Sequence, residues 1–553
     1  MTTSSFDPVR VRQSIYAILI TVAVAAVAGR ILSVVRVYEP FMYRDENHPK
    51  DTRGQWWRTR PEPSATHGDN DRSRWDTVRA LVDQGTYVIG HREYEAAGQY
   101  HDTGIMMEDG WRTIDKVLRP EVRVSPSGKR AQEFYSSKPP FLATLVAGEY
   151  WLLKRTLGWS IMEERFQVVR TILMTINCLP LLVYLLLLAR LVERLGTTDW
   201  GRLFVLATAC FGTLLIPFEI TLNNHTVAAC TALFALYPAL RILLDGERKA
   251  WLFAVAGFFA GFTACTELPA ASFAVILFML LLWRAPGRTL LLYLPALAIP
   301  AAVFLFTNHL AIGQWTPAYG EFGGPWYEYE GSHWVKPTLG NTKAGIDWAA
   351  LTEGKGTYAF HFFLGHHGLF SLSPVFLLSA VGVFVFLLGK SRGSSPPHPQ
   401  PLSPEYGGAG GMRAAGKGVN VGGETFPSPP YSGERGRGEG AISDSGSPQP
   451  TSKDYRILGT LTLLVSLIVV GFYLFKTSNY GGWAVGLRWL MWLTPFWLLT
   501  MLPVADWLST RRWGRGLAYV CLAVSVFSAN YPLNPWRNPW LYNFMESQGW
   551  TGY

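Results

Sequence analysis

Charge is scarce in this chain, and so is any spacing that would hold a metal. Only 16% of its 553 residues are Asp, Glu, Lys or Arg, against 49% hydrophobic. Such a length would allow several soluble domains, but most of the charge is confined to the gaps between apolar stretches. Those stretches run to roughly 16 to 23 residues, enough to cross a hydrocarbon core about 30 Å thick, which makes the chain a polytopic membrane protein. Cysteine is sparse too. Cys178, Cys210, Cys230, Cys265 and Cys521 all fall inside or at the ends of apolar stretches. No two have metal-ligand spacing, so neither a zinc site nor a disulfide framework is indicated, and they read as small buried hydrophobes. The net charge of +9 has no basic soluble face behind it, which removes nucleic acid as its explanation. Short basic clusters at span ends follow the positive-inside rule instead. No internal repeat relates the spans, and the charged groups gather at one face rather than at the midplane, so two marks of a secondary transporter are missing.

Residues 1–36 read as an N-terminal transmembrane anchor. Arg10 and Arg12 precede the apolar run Ser14–Gly29, and Ala25-Ala26-Val27-Ala28 offers the small residues of a cleavage site. The apolar character nevertheless continues through Ile31, Leu32, Val34 and Val35, a length that suits a retained anchor. Residues 37–165 mix both signs of charge with aromatics and read as an external catalytic loop with amphipathic juxtamembrane helices, one at Trp75–Leu81 and an interfacial stretch from Glu133 to Leu153. Residues 166–312 read as a transmembrane bundle, with spans at Val168–Leu188, Leu203–Phe218, Thr226–Leu244, Trp251–Ala264, Pro269–Leu282 and Leu290–Leu310. An external aromatic-rich loop (313–366) and a further span (367–389) follow. Residues 390–454, rich in Pro, Gly and Ser, are expected to be a disordered cytoplasmic linker; Ser403–Gly408 and Ser428–Gly433 within it are alike. Residues 455–530 supply the last spans, and 531–553 an external Trp/Pro-rich tail. About eleven spans result, with their basic turns all on the cytoplasmic side.

Two polar blocks frame the first external loop. Gly68-Asp69-Asn70-Asp71-Arg72-Ser73-Arg74-Trp75 sets two carboxylates two residues apart beside arginines, although Asp and Asn also fill ordinary turns. Phe134-Tyr135-Ser136-Ser137-Lys138-Pro139-Pro140-Phe141 puts a lysine on a stiff turn just before the chain re-enters the bilayer, where the plainer reading is a snorkelling lysine. A base at one end and a phosphate-sized cation site at the other is what a membrane group-transfer enzyme needs. Asp71, with Asp69 as its rival, would take the acceptor's proton. Lys138, helped by the fork of Arg74, would hold a phosphate. Arg488, after Tyr480-Gly481-Gly482-Trp483, is a further phosphate candidate or else a snorkeller at a span start. His225 and Glu267 stand near external span ends and, with Tyr480, are candidates to line a cavity, because ionisable groups at membrane depth default to function; a small shift of the boundaries would make them interface groups. His361, His366 and His367 form a cluster by count, but adjacent histidines point apart on a helix, so no metal is predicted. Trp315, Tyr319, Trp326, Tyr327, Tyr329 and Trp334 suit either stacking on sugar faces or an aromatic belt at the headgroups.

On these residues the chain resembles the GT-C glycosyltransferases, polytopic enzymes that use polyprenyl-phosphate sugars, and within them the protein mannosyltransferase and aminoarabinose transferase branch (glycosyltransferase family 39-like). Asp71-Arg72-Ser73-Arg74-Trp75 stands where that branch has Asp-Glu-Ala-Arg-Tyr. Gly85-Thr86-Tyr87-Val88-Ile89 and Ser137-Lys138-Pro139-Pro140 match its later pieces. Asn224-His225-Thr226, and Tyr480-Gly481-Gly482-Trp483 followed by Gly486-Leu487-Arg488, look like elements of bacterial relatives. The chain departs from the pattern at Arg72, where the branch is acidic, and in the long insert between Gly90 and Phe134; both leave Asp69 and Asp71 open as the base. The resemblance implies an all-α polytopic fold with a large external first loop, in a bacterial inner membrane, with the N-terminus cytoplasmic and the active site periplasmic. It also implies inverting transfer of a sugar from a polyprenyl-phosphate donor to a lipid, glycan or protein acceptor. The implied partners are the bilayer, the donor and that acceptor, without nucleic acid. The alternatives are a transporter or flippase of an amphipathic substrate, and a GT-C-like scaffold without activity, for which Arg72 speaks.

Overall fold

The computed structural model describes residues 7–36, 63–95, 99–124, 128–320, 324–335, 354–388, 452–477 and 479–550. The chain divides into a unit of residues 1–389 with 450–553 and a second unit, 390–449. That second unit, with the two similar low-complexity pieces and the basic residues Lys390 and Arg392, lies outside the described residues.

Helix dominates, and among the described residues six helices are long and apolar enough to cross a membrane: Pro8–Ser33, Arg165–Leu195, Asp199–Phe218, Asn224–Leu244, Pro286–Ile312 and Tyr455–Lys476. Three shorter apolar helices, Ala250–Thr266, Leu268–Arg284 and Phe376–Leu388, accompany them. The protein is therefore a mostly helical, multi-pass membrane protein. By length and composition six helices among the described residues, against the eleven expected, meet the requirement for a span.

The long helices adapt to their own prolines. Wide turns at Met174–Cys178 and Thr289–Tyr293 each come just before a proline, Pro180 and Pro295. A proline ring clashes with the carbonyl four residues back, and a locally widened turn relieves that clash. Close packing relies on small residues. A Cβ on Gly257 would stand 2.1 Å from the Tyr293 carbonyl oxygen, and one on Gly261 2.6 Å from that of Leu297, so the Ala250–Thr266 and Pro286–Ile312 backbones meet only because both positions are glycine. Asn223 caps Asn224–Leu244, its Oδ1 accepting from the amides of His225 (2.9 Å) and Thr226 (3.0 Å).

The all-α expectation is corrected by a five-stranded antiparallel sheet. Its strands are β1 (Gly90–Tyr94), β2 (Tyr100–Thr103), β3 (Lys116–Leu118), β4 (Arg123–Val124) and β5 (Arg130–Ser136). The order is β2-β1-β5-β3, with β4 also on β5; Gly90 pairs with Phe134 and Lys116 with Ser136. The insert that departs from the family pattern is this sheet. Its strands hide from a period-two search because β1 reads Gly-His-Arg-Glu-Tyr and because both faces of β5 are covered. Phe134 meets the Tyr329 ring at 5.7 Å, and its neighbour Tyr135 meets Trp326 at 6.0 Å.

The aromatic loop supplies that cover. Leu118 donates its amide to the Trp326 carbonyl (3.0 Å), Arg92 donates to Glu330 O (2.9 Å), and the Trp334 indole donates to Lys116 O (3.0 Å). Trp326, Tyr327 and Trp334 are buried in one cluster with Val88, Val117 and Tyr135. These rings are packing, neither a headgroup belt nor an open sugar platform; Trp315, stacked on His309 at 4.4 Å, stays exposed. The short helix placed at Trp75–Leu81 instead runs Asp69–Arg79 and is buried on every side from Asn70 to Arg79, so it has no amphipathic face. The stretch Glu133–Leu153 splits into the end of β5 and a helix, Pro140–Leu157, that begins on Pro140, the first-turn position proline favours.

Candidate functional site

The Asp69–Arg79 helix opens the site. Asp71 closes its capping box: Oδ2 accepts from the His67 amide (3.0 Å) and Oδ1 from that of Gly68 (2.7 Å). Both oxygens thus serve backbone donors that a helix start leaves without partners. Burial raises the Asp71 pKa to about 6, against the pull of those bonds. Asp69, the first helical residue, is less committed. Its Oδ1 accepts from the Ile114 amide (3.1 Å) and lies 3.5 Å from Arg72, while Oδ2 has no partner among the described residues. Burial, reinforced by the neighbouring Asp115 carboxylate, raises its pKa to about 7.

Arg74 reaches from this helix to the membrane helices. It donates to Asn70 O (2.8 Å) and to the side chains of Asn70 and Asn224. Asn224 donates onward to Glu267 Oε1 (2.7 Å) and Thr266 O (3.0 Å), and His225 Nδ1 meets the same Glu267 oxygen. Arg74, His225 and Glu267 therefore belong to one hydrogen-bonded chain that ties the buried helix to the start of Asn224–Leu244 and the end of Ala250–Thr266. The acceptors of Arg74 are neutral amides, so its charge is not cancelled by contact.

Lys138 arrives on the Pro139-Pro140 turn. Its Nζ lies 3.2 Å from Asp115 Oδ2 and 5.6 Å from the centre of the Trp334 ring. Burial lowers the Lys138 pKa to about 8 even with Asp115 opposing. For Asp115 burial pushes upward, but Lys138 and Arg488 outweigh it and hold the carboxyl below its usual range. Asp115 is the residue that sequence reasoning missed. It lies in a short polar stretch without a motif, and only the pairing of β3 with β5 carries it to Lys138.

Arg488 comes from the far end of the chain. The preceding loop turns on Asn479, whose Oδ1 accepts from the amides of Gly481 (2.7 Å) and Gly482 (2.6 Å). Both glycines have positive φ, 96° and 69°, and a Cβ on Gly481 would sit 3.3 Å from Arg488 Nε. The guanidinium lies 4.9 Å over the Trp536 ring, a favourable face for a cation. Among the described residues it has no side-chain hydrogen-bond acceptor and no carboxylate within ion-pair distance. Trp536 belongs to the Trp/Pro-rich segment 531–553, read from sequence as an external tail. It packs on Phe218 at 5.2 Å, and a Cβ on Gly68 would lie 2.8 Å from its ring. The tail thus forms the floor beneath Arg488 and props the start of the Asp69–Arg79 helix.

Tyr480 is buried and stacks on His367 at 4.9 Å, away from open space. His361 lies on the Lys355–Phe363 helix, but His366 and His367 lie in the turn after it, so their rings meet, Nδ1 to Nδ1 at 2.6 Å, instead of pointing apart. Among the described residues no group of three or more His, Cys, Asp or Glu is placed to hold a metal.

The folded chain gathers Arg74, Lys138 and Arg488 around Asp115, with Glu267 and Asp69 close enough for their charges to act on that set. Charges sheltered from water act more strongly on one another and on a ligand than they would in solvent. Three cations converge on the single carboxylate of Asp115, an arrangement that suits a phosphate. Neither the protein-family models nor the curated proteins provide a match to this chain.

Proposed function

We propose that the protein is a membrane glycosyltransferase of GT-C-like architecture. In this reading it moves a sugar from a polyprenyl-phosphate carrier to a lipid, glycan or protein acceptor at the periplasmic face of a bacterial inner membrane. The observation that carries the reading is Arg488, a guanidinium stacked on Trp536 without an acceptor among the described residues, in a set with Lys138 and Arg74. A sheltered cation without its counter-charge is unfavourable, and an entering phosphate supplies that counter-charge. Arg488 offers a two-pronged fork and Lys138 a point charge. Arg74, its N–H groups already bonded to Asn70 and Asn224, contributes field rather than hydrogen bonds. Asp115 positions the Lys138 ammonium.

Asp69 is the base in this reading, because Asp71 already gives both oxygens to the helix start. The acceptor O–H bond breaks and its proton passes to Asp69. The acceptor oxygen attacks the anomeric carbon from the face opposite the phosphate. The bond from that carbon to the phosphate oxygen breaks, and the electron pair leaves on the polyprenyl phosphate, where Arg488 and Lys138 stabilise it. The anomeric centre inverts.

The test uses membranes carrying wild type, Asp69→Asn or Asp71→Asn and a panel of labelled polyprenyl-phosphate sugars. Wild type is expected to transfer label. Asp69→Asn loses transfer while still retaining bare polyprenyl phosphate, and Asp71→Asn first loses thermal stability. A wild type that transfers from no donor in the panel contradicts the reading.

A further inference from the structure

We infer that the end of the bundle far from the Arg488–Lys138 site holds an anionic phospholipid, with an acyl chain in a groove between Leu268–Arg284 and Tyr455–Lys476 and the phosphate at Arg456. The inference does not depend on the phosphate reading of the other site. The helices define which end is meant. Asn224–Leu244 starts at that site, and its 21 residues carry the chain about 30 Å away, to Asp245, which pairs with Arg194. Leu268–Arg284 runs the same way from Glu267. Tyr455 donates to Leu195 O (3.0 Å), next to Arg194, so Arg456 also stands at this far end.

The groove has a volume of about 210 Å³, with Ile276 and Leu280 on one wall, Ile457, Leu461 and Leu464 on the other, and Arg456 at its end. An apolar cavity of about 150 Å³ already accepts a benzene ring, so a stretch of acyl chain fits. Ile276, Leu280 and Arg284 recur every four residues and lie along one side of their helix, which leads the groove toward a second arginine. Arg284 belongs to a cluster: Arg248 donates to Arg284 O (3.2 Å), and Arg288 donates to Arg248 O. Those acceptors are backbone carbonyls and cancel no charge. The neighbouring carboxylates are committed elsewhere, Asp245 to Arg194 and Arg241, Glu247 to Arg241 and Lys249. Among the described residues no carboxylate lies within ion-pair distance of Arg248, Arg284, Arg288 or Arg456, and Arg248 Nη1 is buried without an acceptor.

The chemistry narrows the occupant. Like charges crowded at one end of a bundle repel, and an anion among them relieves the repulsion. The positive-inside rule and snorkelling account for such arginines one at a time, but not for an aliphatic groove that ends on one. The ligand must join a long apolar chain to a net negative head. Free phosphate lacks the chain and phosphatidylcholine lacks the net charge, whereas phosphatidylglycerol has both. Basic pockets between membrane helices take anionic head groups in this way.

The experiment titrates the purified full chain in detergent with dioleoyl phosphatidylglycerol, dioleoyl phosphatidylcholine and glycerol phosphate, and reads binding by native mass spectrometry. It compares wild type with Arg456→Gln, Leu280→Trp and Arg512→Gln. Arg456 is exposed, so its replacement should leave the melting temperature unchanged. Wild type should bind phosphatidylglycerol about 5-fold or more tighter than phosphatidylcholine, and glycerol phosphate hardly at all. Arg456→Gln should weaken phosphatidylglycerol about 5-fold, the effect of about one arginine at a lipid surface, and leave phosphatidylcholine alone. Leu280→Trp fills the groove and should weaken both lipids. Arg512→Gln removes the same charge from Arg512–Asn530, a helix that packs on Asp199–Phe211 instead, and should change neither. Equal binding of the two lipids by wild type, no loss in Arg456→Gln or in Leu280→Trp, or the same loss in Arg512→Gln as in Arg456→Gln overturns the inference and leaves a general basic surface. Tight binding of glycerol phosphate also overturns it, because the arginines then serve a soluble anion.

Discussion

Arg12 and Arg488 both sit in closely packed surroundings at helix ends, and they are partnered in opposite ways. Arg12 meets Glu193 through two nitrogens and Asp199 through a third, and Tyr16 donates to the same Glu193 carboxylate at 3.0 Å. One cation with two carboxylates is an internal bolt, here fastening Pro8–Ser33 to its neighbours. Arg488 has an aromatic floor, two cationic neighbours and no carboxylate in contact. The first cluster is complete without a ligand and the second is not. Residue type cannot separate them, since each is an arginine near the end of an apolar stretch; partnership does.

That contrast can be broken from either side. The largest effect is expected at Asp69: Asp69→Asn should lower sugar transfer by about 10²- to 10⁴-fold, the usual loss on removing a general base, with retention of bare polyprenyl phosphate unchanged. Next, Arg12→Gln should lower unfolding stability by about 2 kcal/mol, the size of lost charge-assisted hydrogen bonds, and leave lipid-phosphate affinity alone. Arg488→Gln should do the reverse and leave the melting temperature of the unliganded protein unchanged or higher. Equal losses of stability in both variants would erase the distinction between bolt and site.

A pH profile sharpens it further. Asp69, its pKa raised to about 7 by burial, works only when deprotonated, so transfer rises as pH climbs through about 7. Lys138, its pKa lowered to about 8 by burial, holds phosphate only when protonated, so transfer falls as pH passes about 8. The optimum lies between, and Lys138→Arg should abolish the alkaline fall because arginine keeps its charge. A profile that still falls near pH 8 in that variant would remove Lys138 from the site. The smallest effect belongs to Gly481→Ala. Its φ of 96° and the 3.3 Å approach to Arg488 Nε would strain the loop by about 1–3 kcal/mol and raise the donor KM a few-fold, with kcat nearly unchanged.

Much of the bundle was legible in sequence, because an apolar run as long as the membrane is thick needs no tertiary information. Arg74, Lys138 and Arg488 were legible as well, each on a local motif. Their assembly was not, since it depends on contacts across hundreds of residues: Arg74 to Asn224, Lys138 to Asp115, Arg488 to Trp536. Asp115 and Trp536 stayed hidden because nothing in their own neighbourhoods marks them. The sheet was missed for a related reason. Its strands carry Arg92, which is buried, and Glu93, Gln132 and Glu133, which are half-buried, so the alternation that reveals a strand is erased. Asp71 stood out by motif, yet its oxygens are spent on the helix cap, while the less conspicuous Asp69 keeps one free among the described residues.

The central claim is that Arg488 awaits a phosphate. Native mass spectrometry of the purified full chain with bare polyprenyl phosphate, comparing wild type, Arg488→Gln and Arg12→Gln, tests it most directly. Wild type and Arg12→Gln should retain the lipid equally, and Arg488→Gln should hold it about 10- to 100-fold more weakly, as expected for the loss of a charge-assisted phosphate contact. Equal retention by all three proteins would contradict the account.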